Sequence, residues 1–220
     1  MPKVEHSLEI HYHSSSYIWG FDDPERFILT THIEIVGNSE TSGKPPVLIG
    51  KGTVTRVAVG RTLDAGESLF FVFDTEQELV DAGCAVFRPD FIDYRAAIAK
   101  QYPDAMFGGD FLLVRELQIF PEFRGQRLGL ALMRQIVADL GTGCGLAVLN
   151  PSPFLSEVDR GGMGCVKLQK YWAMLGFRRV ATSRFWAVDP AILSGPMELD
   201  LPTFILIDEA PETKFEGPNG

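Results

Sequence analysis

Residues Phe111 to Leu140 read FLLVRELQIFPEFRGQRLGLALMRQIVADL, which predicts a strand, a short turn and a helix. The strand should span Phe111 to Phe120, because these residues are mostly apolar and favour β-structure. Pro121 has no backbone donor and cannot continue a central strand. In the helix, apolar residues recur at every fourth position and form the stripe of a helix that packs on a sheet. They are Leu128, Leu132, Ile136 and Leu140.

The turn between this strand and this helix, Arg124 to Gly129, is rich in glycine and arginine. A helix start exposes unpaired N–H groups and the positive end of the helix dipole, so such a turn can hold a phosphate. The sequence has no Walker lysine–hydroxyl pair and no GxGxxG pattern here, which argues against the common nucleotide-binding folds. An ordinary tight turn in an α/β domain is the alternative interpretation.

Two segments resemble the GNAT superfamily of acyl-CoA-dependent N-acetyltransferases. Glu116 to Gly129 is similar to the family's motif A, and Lys170 to Phe177, KYWAMLGF, resembles motif B, a helix that ends in a Leu-Gly-Phe corner. The resemblance covers residues 111 to roughly 188. It implies an α/β fold with a mixed, mostly antiparallel sheet flanked by helices.

Motif A aligns with this chain in two registers. The family pattern is Arg or Gln, two residues, Gly, one residue, and then Gly or Ala. Counted from Arg124, Arg127 stands where the first glycine belongs and Gly129 fills the second position. Counted from Gln126, Gly129 and Ala131 satisfy the pattern fully.

The resemblance implies that acetyl-CoA is bound as a co-substrate. Main-chain N–H groups of the turn would grip its pyrophosphate. The end of the motif A strand would pair with the pantetheine arm, where this strand and the next splay apart in the family. The cofactor-binding residues implied in this way are Leu117, Gln118, Ile119, Arg124, Gly125, Gln126, Arg127, Leu128, Gly129, Leu130 and Asn150.

Two residues are our candidates for the proton transfers of acetyl transfer. Glu116 would be the base, because it directly precedes the segment that should face pantetheine; the alternative is an ion pair with Arg115 or a neighbouring strand. For the acid, the family has a tyrosine where this chain has Trp172, and Tyr171 is one residue earlier. One residue turns a helix by about 100°, so Tyr171 inherits the role only if the helix end shifts. Otherwise it is a packing aromatic.

The N-terminal part of the chain predicts three strands in succession, and hence an antiparallel meander. His11 and His13 lie two apart on the first strand and could place two metal ligands on one face. No acidic or cysteine residue stands at a suggestive spacing, so we predict no metal site. The three strands are residues 5–13, 27–36 and 47–59.

Between the meander and motif A, the stretch from Gly66 to Gln101 is predicted to be helical. One helix would be capped by Asp74 or Thr75, and a second would cover Phe91 to Ile98 because Pro89 separates the two. We expect this stretch, together with the loop of residues 150–164, to border the acceptor cleft.

Beyond motif A, the pattern predicts alternating strands and helices. The loop of residues 150–164 would be an insertion near the active site; a solvent loop is the alternative. The remaining elements are a strand at 146–149, a helix at 166–175 and strands at 177–188 and 201–207.

The composition is that of an ordinary globular protein of 220 residues. We expect one domain over residues 1–207 and a polar, disordered tail over 208–220. The net charge of −9 argues against general nucleic-acid binding. Three cysteines without metal-ligand spacing, and no signal or membrane-length apolar segment, predict a cytoplasmic protein with no membrane partner.

The predicted function is therefore transfer of an acetyl group from acetyl-CoA to an amine of a small molecule, peptide or protein. One alternative keeps the fold and changes the acyl group or acceptor. Another is a module that binds CoA without catalysis, which the displaced tyrosine favours. A homodimer is compatible with the sequence.

Overall fold

The computed structural model describes residues 6–15, 23–39, 45–107, 109–151 and 163–194. At its centre is a sheet built from strands separated by helices and turns. The strands are β1 (His6–Ser15), β2 (Ile28–Ser39), β3 (Val47–Val57), β4 (Asp110–Ile119), β5 (Cys144–Leu149), β6 (Arg178–Arg179) and β7 (Trp186–Val188). Their order in the sheet is β1-β2-β3-β4-β5-β7-β6. Only β4 and β5 pair in parallel within this sheet.

The helices lie before, between and after these strands. They are α1 (Val59–Asp64), α2 (Leu69–Phe73), α3 (Gln77–Val86), α4 (Ala96–Gln101), α5 (Leu128–Leu140), α6 (Met163–Ala173) and α7 (Pro190–Ser194). Short 3₁₀ helices occupy Pro24–Phe27, Pro103–Phe107 and Pro121–Phe123. The predicted fold class, a mixed and mostly antiparallel sheet flanked by helices with an N-terminal meander, is confirmed.

Each face of the sheet carries its own hydrophobic core. On one face, α1 to α4 pack through a cluster of aromatic rings in which Phe73 contacts Phe87, Phe91 and Phe111 at centroid distances of 5.2 to 5.6 Å. On the other face, α5, α6 and α7 cover the sheet. Two layers of helix therefore enclose the central strands β4 and β5.

Helix α5 follows the predicted stripe. Leu128, Leu132 and Ile136 are buried and Leu140 is half-buried, so this face of the helix lies on the sheet. The strand before it ends at Ile119, one residue before the predicted end. The arrangement expected from the apolar spacing is confirmed.

The predicted helix over Phe91 to Ile98 is wrong. Phe91 has a φ of 55°, and Tyr94 forms an antiparallel bridge with Phe87, so the chain turns back here; the helix is α4 instead. The turn lets Phe91 enter the aromatic cluster and Tyr94 stack on Phe87 at 4.8 Å. Packing of the aromatic rings has overridden the local helical pattern.

Three other boundaries differ from the sequence prediction. Helix α3 begins after Glu76, without a side-chain cap from Asp74 or Thr75. The strand predicted to reach Val59 ends at Val57, and α1 begins at Val59. The strand predicted over residues 177–188 is the hairpin β6–β7, because the chain reverses through Ala181, whose φ is 46°.

Some predictions concern residues outside the described ranges. These are the strand over 201–207, the tail over 208–220 and most of the loop over 150–164. In the described part of the chain, no helix combines the length and apolarity needed to cross a bilayer.

Candidate functional site

The sheet opens between β4 and β5. Their parallel ladder ends at the pair Val114–Leu149, whereas β4 continues to Ile119. On its other edge, β4 stays paired with β3 as far as Ile119. The β5-facing edge of β4 beyond Val114 therefore has no strand partner among the described residues, and an extended amide-bearing ligand could pair with it.

A β-bulge lies at the same point in β4. Thr53 of β3 pairs with Glu116, and the next residue, Val54, pairs with Val114, so Arg115 is the extra residue. A bulge puts two consecutive side chains on one side of a strand, and both Arg115 and Glu116 line the same cavity. Because of the bulge, the side chain of Glu116, the predicted base, lies on the same side of β4 as that of Arg115.

The cavity into which these side chains point has a volume of about 820 Å³. It lies beside the opening of the sheet and is formed by residues from β2, β3, β4, α3, α6 and the hairpin β6–β7. Its walls combine polar, charged and aromatic side chains. The lining residues are His32, Thr53, Gln77, Glu78, Arg115, Glu116, Asn150, Pro151, Cys165, Gln169, Arg179, Arg184 and Trp186.

Glu116 is half-buried in this cavity, with a quarter of its side chain exposed. Its nearest cation is the ammonium group of Lys51 at 4.0 Å, a loose contact to a side chain that is itself more than half exposed. Arg115 does not pair with Glu116: its guanidinium contacts Glu76 at 2.6 Å and Glu78 at 3.2 Å. The carboxylate of Glu116 is accordingly available to a ligand in the cavity.

Two glycines in β3 hold β4 close at this point. A Cβ on Gly52 would lie 2.8 Å from the carbonyl oxygen of Glu116, and one on Gly50 would collide with the carbonyl oxygen of Gln118. A larger residue at either position would push β4 away from β3. These glycines thus contribute to the position of Glu116.

The turn before α5 contains two residues with positive φ. Gly125 has a φ of 88° and Arg127, the N-cap of α5, has a φ of 57°. Left-handed backbone is favourable for glycine and costly for other residues. In the register counted from Arg124, Arg127 occupies the first glycine position, so the backbone conformation favours this register over the one counted from Gln126.

Three consecutive main-chain N–H groups in this turn have no acceptor among the described residues. They belong to Gly125, Gln126 and Arg127. Arg124 has a different part in the turn: its Nε donates to the carbonyl oxygen of Ile119 at 2.8 Å, which ties the turn to the end of β4. The turn therefore presents free donors next to the positive end of a helix of 13 residues.

Tyr171 lies against the start of α5. Its hydroxyl oxygen accepts a hydrogen bond from the N–H of Leu130 at 3.0 Å, a donor that also lies 3.0 Å from the carbonyl oxygen of Arg127. Burial raises the pKa of Tyr171, while the N–H groups of Leu130 and Gly129 and the charge of Arg127 act in the opposite direction. The hydroxyl stays protonated at neutral pH and, since it accepts from Leu130, can direct its own proton elsewhere.

Gly129 is needed for this contact. A Cβ at this position would lie 2.9 Å from the Tyr171 hydroxyl oxygen, so any larger residue displaces the tyrosine. Trp172, at the position where the resemblance to the GNAT superfamily implies a tyrosine, is buried in the core between α5 and the sheet. The two aromatic residues pack edge to face at 5.0 Å.

The other predicted site residues divide between the two regions. Leu117 and Ile119 are partly buried against the core below α5, and Leu128 and Leu130 are buried in it. Gln118 pairs with Lys51 in the ladder of β3 and β4. Asn150 follows β5 and lines the cavity. Tyr171 is not among the residues that line the cavity; its hydroxyl contacts the start of α5.

Several residues of the cavity were not singled out by the sequence. Arg179 and Arg184 belong to the hairpin that was predicted as one strand, and His32 reaches the cavity through its pairing with Thr53. The turn-forming pair Thr182-Ser183 was the available signal for a hairpin. No local signal connects His32 with Glu116.

Two histidines of β1, His11 and His13, lie next to carboxylates. The Nε2 atom of His11 lies 3.1 Å from Glu9, and that of His13 lies 3.7 Å from Glu34. Within the described ranges, no group of three or more histidine, cysteine or acidic side chains is arranged to hold a metal ion.

The left-handed conformation of Arg127 gives a testable prediction about stability. Arg127→Gly should be more stable than Arg127→Ala by about 1 kcal/mol, since both remove the side chain and only glycine relieves the backbone. Urea unfolding measures the difference. The same two substitutions at Gln135, within α5, should show the opposite order by about 1 kcal/mol. Equal stability of the two Arg127 variants would contradict a strained backbone.

Comparison with known proteins gives little similarity. No protein family matches the chain, and no curated protein matches it. A crystal structure of a mutant of KacT matches with a TM-score of 0.41 and 13% identity, covering 74% of this chain and 73% of that one. A similarity at this level carries no argument about function, which must rest on the geometry of the site.

Proposed function

We propose that this chain is a GNAT-type N-acetyltransferase that transfers an acetyl group directly from acetyl-CoA to an amine. The observation that carries the proposal is the free N–H groups of Gly125, Gln126 and Arg127, at a helix start next to an opened sheet. The turn offers donors for a pyrophosphate, and the exposed edge of β4 offers a strand partner for the amide-bearing arm. Both features lie on consecutive segments of the chain, so a single extended cofactor could contact both.

The chemistry would take place at the opening between β4 and β5. Glu116 lines the cavity together with Glu78 of α3, while the hydroxyl of Tyr171 contacts the start of α5. The amine would lose a proton to Glu116 and attack the thioester carbon from the cavity. The C–S bond then breaks, and the leaving thiolate takes the Tyr171 proton.

A negative charge in the turn tests cofactor binding. Gln126→Glu is almost isosteric and should weaken acetyl-CoA binding by at least about tenfold, because it brings a carboxylate near the pyrophosphate. Isothermal titration calorimetry measures the dissociation constant. Gln126 is the better site than Gly129, where a substitution would also displace Tyr171.

The control is Gln135→Glu, the same chemical change on the exposed surface of α5 away from the turn. It should leave acetyl-CoA affinity within about twofold, as expected of screened surface charge. If both variants bind acetyl-CoA as the wild type does, the turn does not hold the pyrophosphate.

A module that binds CoA without catalysis is the second candidate function. The burial of Trp172 at the family's tyrosine position favours it, because an indole has no proton suited to a leaving thiolate. A screen for thiol release with a panel of amines separates the two: acetyl-CoA binding without thiol release from any amine would support the module.

A further inference from the structure

We propose that the acceptor carries an oxyanion, a carboxylate or a phosphate, in addition to its amine, and that Arg179 binds it. This inference rests on the proposed function, since it assigns the acceptor to the cavity that contains Glu116. Its basis is the distribution of charge among the arginines that line this cavity.

Two of these three arginines are already neutralised. Arg115 contacts Glu76 at 2.6 Å and Glu78 at 3.2 Å. Arg184 contacts Asp81 at 2.6 Å. Their positive charges are paired with carboxylates on α3 or beside it, so they contribute little net field to the cavity.

Arg179 has no carboxylate within 4.0 Å in the described part of the chain. Its Nε donates to the carbonyl oxygen of Ser183 at 2.8 Å, and its Nη2 donates to that of Thr182 at 3.2 Å. These bonds hold the guanidinium against the β6–β7 turn and leave its Nη1 edge for a ligand. A guanidinium held in this way binds a planar oxyanion with little further ordering.

The register of the hairpin directs Arg179 to the cavity. Arg179 pairs with Trp186, which also lines the cavity, whereas the neighbouring Arg178 pairs with Ala187. Successive residues of a strand point to opposite faces. Arg178 therefore lies on the other face and is a matched control for the charge of Arg179.

The cavity thus offers two complementary groups to one small molecule. Glu116 on β4 can accept an ammonium group, and Arg179 on β6 can bind an oxyanion. Arg179 is exposed, so an oxyanion on the acceptor would gain a charge-assisted contact with it that an amine alone would not. At about 820 Å³, the cavity is within the range of small-molecule sites.

Calorimetric titration of the whole chain tests this, with and without CoA. The probes are ω-amino carboxylates from glycine to 6-aminohexanoate, the primary amides of the same acids, and O-phosphoethanolamine with ethanolamine as its neutral counterpart. The best oxyanion-bearing amine should bind at least about tenfold more tightly than its neutral counterpart. The carboxylate and phosphate arms show which oxyanion is preferred.

Arg179→Gln should remove this preference, Arg179→Lys should restore part of it, and Arg178→Gln should keep it. Neutral counterparts that bind as tightly as the oxyanions, no binding of either oxyanion class, or an unchanged preference in Arg179→Gln would overturn the inference. Thiol release from acetyl-CoA is measured separately. Arg179-dependent binding without thiol release would support this inference and contradict acetyl transfer.

Discussion

Glu116→Gln should lower kcat by about 10²–10⁴-fold, the usual contribution of a positioned proton acceptor. The amide has nearly the same shape as the carboxylate but cannot accept the amine proton. The substitution should therefore also remove the acidic limb of the pH–rate profile. The measurement is thiol release at saturating acetyl-CoA and amine across a range of pH.

Acetyl-CoA affinity should be almost unchanged in this variant, because Glu116 faces the cavity and not the turn before α5. Glu122→Gln is the matched control. Glu122 lies in the exposed 3₁₀ helix after β4, and its loss should leave both turnover and pH dependence as they are. Wild-type turnover and pH profile in Glu116→Gln would mean that water, and not this carboxylate, takes the proton.

The local sequence was sufficient for the central elements of the fold. The apolar spacing of Leu128, Leu132 and Ile136 predicts α5 because it reports which side of a helix meets the sheet. Alternation in the first three strands predicts the meander, and Leu8, Ile10 and Tyr12 do pack together against the core below α5. In these segments, local preference and tertiary packing agree.

The mispredicted segments are held by contacts that the spacing of apolar residues does not report. Phe91 leaves the helical pattern because its ring enters a cluster with Phe73 and Phe87, which come from other elements. The chain reversal at Ala181 is stabilised by a bond from the N–H of Val180 to the carbonyl oxygen of Phe185. Neither contact can be read from the spacing of apolar residues.

The candidate site was predictable only where it is local in sequence. Glu116 and the turn from Arg124 to Gly129 lie in one continuous segment, and the sequence proposes them as candidates; their roles stay predictions. The sequence did not predict the bulge at Arg115, because a bulge depends on the register between two strands. It did not predict the unpaired charge of Arg179 either, because that depends on which carboxylates lie nearby in the fold. Interactions between side chains on strands that are far apart in the sequence cannot be predicted from local sequence patterns.

Tyr171→Phe should also lower kcat by about 10²–10⁴-fold, because it removes the proton that the leaving thiolate needs. The ring should keep its packing against Trp172, so the fold should persist. Acetyl-CoA affinity should be almost unchanged, since the N–H of Leu130 keeps the carbonyl oxygen of Arg127 as its acceptor when the hydroxyl is lost. An assay of thiol release at saturating substrates gives kcat, and isothermal titration calorimetry gives the dissociation constant of acetyl-CoA.

The pH dependence of the wild type checks the same assignment. Burial raises the pKa of Tyr171, so its proton is present throughout the neutral range and is lost only as pH rises through that raised value. A general acid works while protonated, so Tyr171 should contribute no alkaline limb to the rate below about pH 10.

The matched control is Tyr12→Phe, which removes a hydroxyl that donates to Asp139 at 2.7 Å on the same side of the sheet, outside the proposed site. It should leave kcat within about twofold, as expected for a polar contact away from the chemistry. A loss of turnover in Tyr171→Phe with an equal loss of acetyl-CoA affinity would give Tyr171 a role in shaping the start of α5. Wild-type turnover in Tyr171→Phe would mean that the thiolate leaves without a proton from this residue, and the donors at the start of α5 would then be the remaining source of its stabilisation.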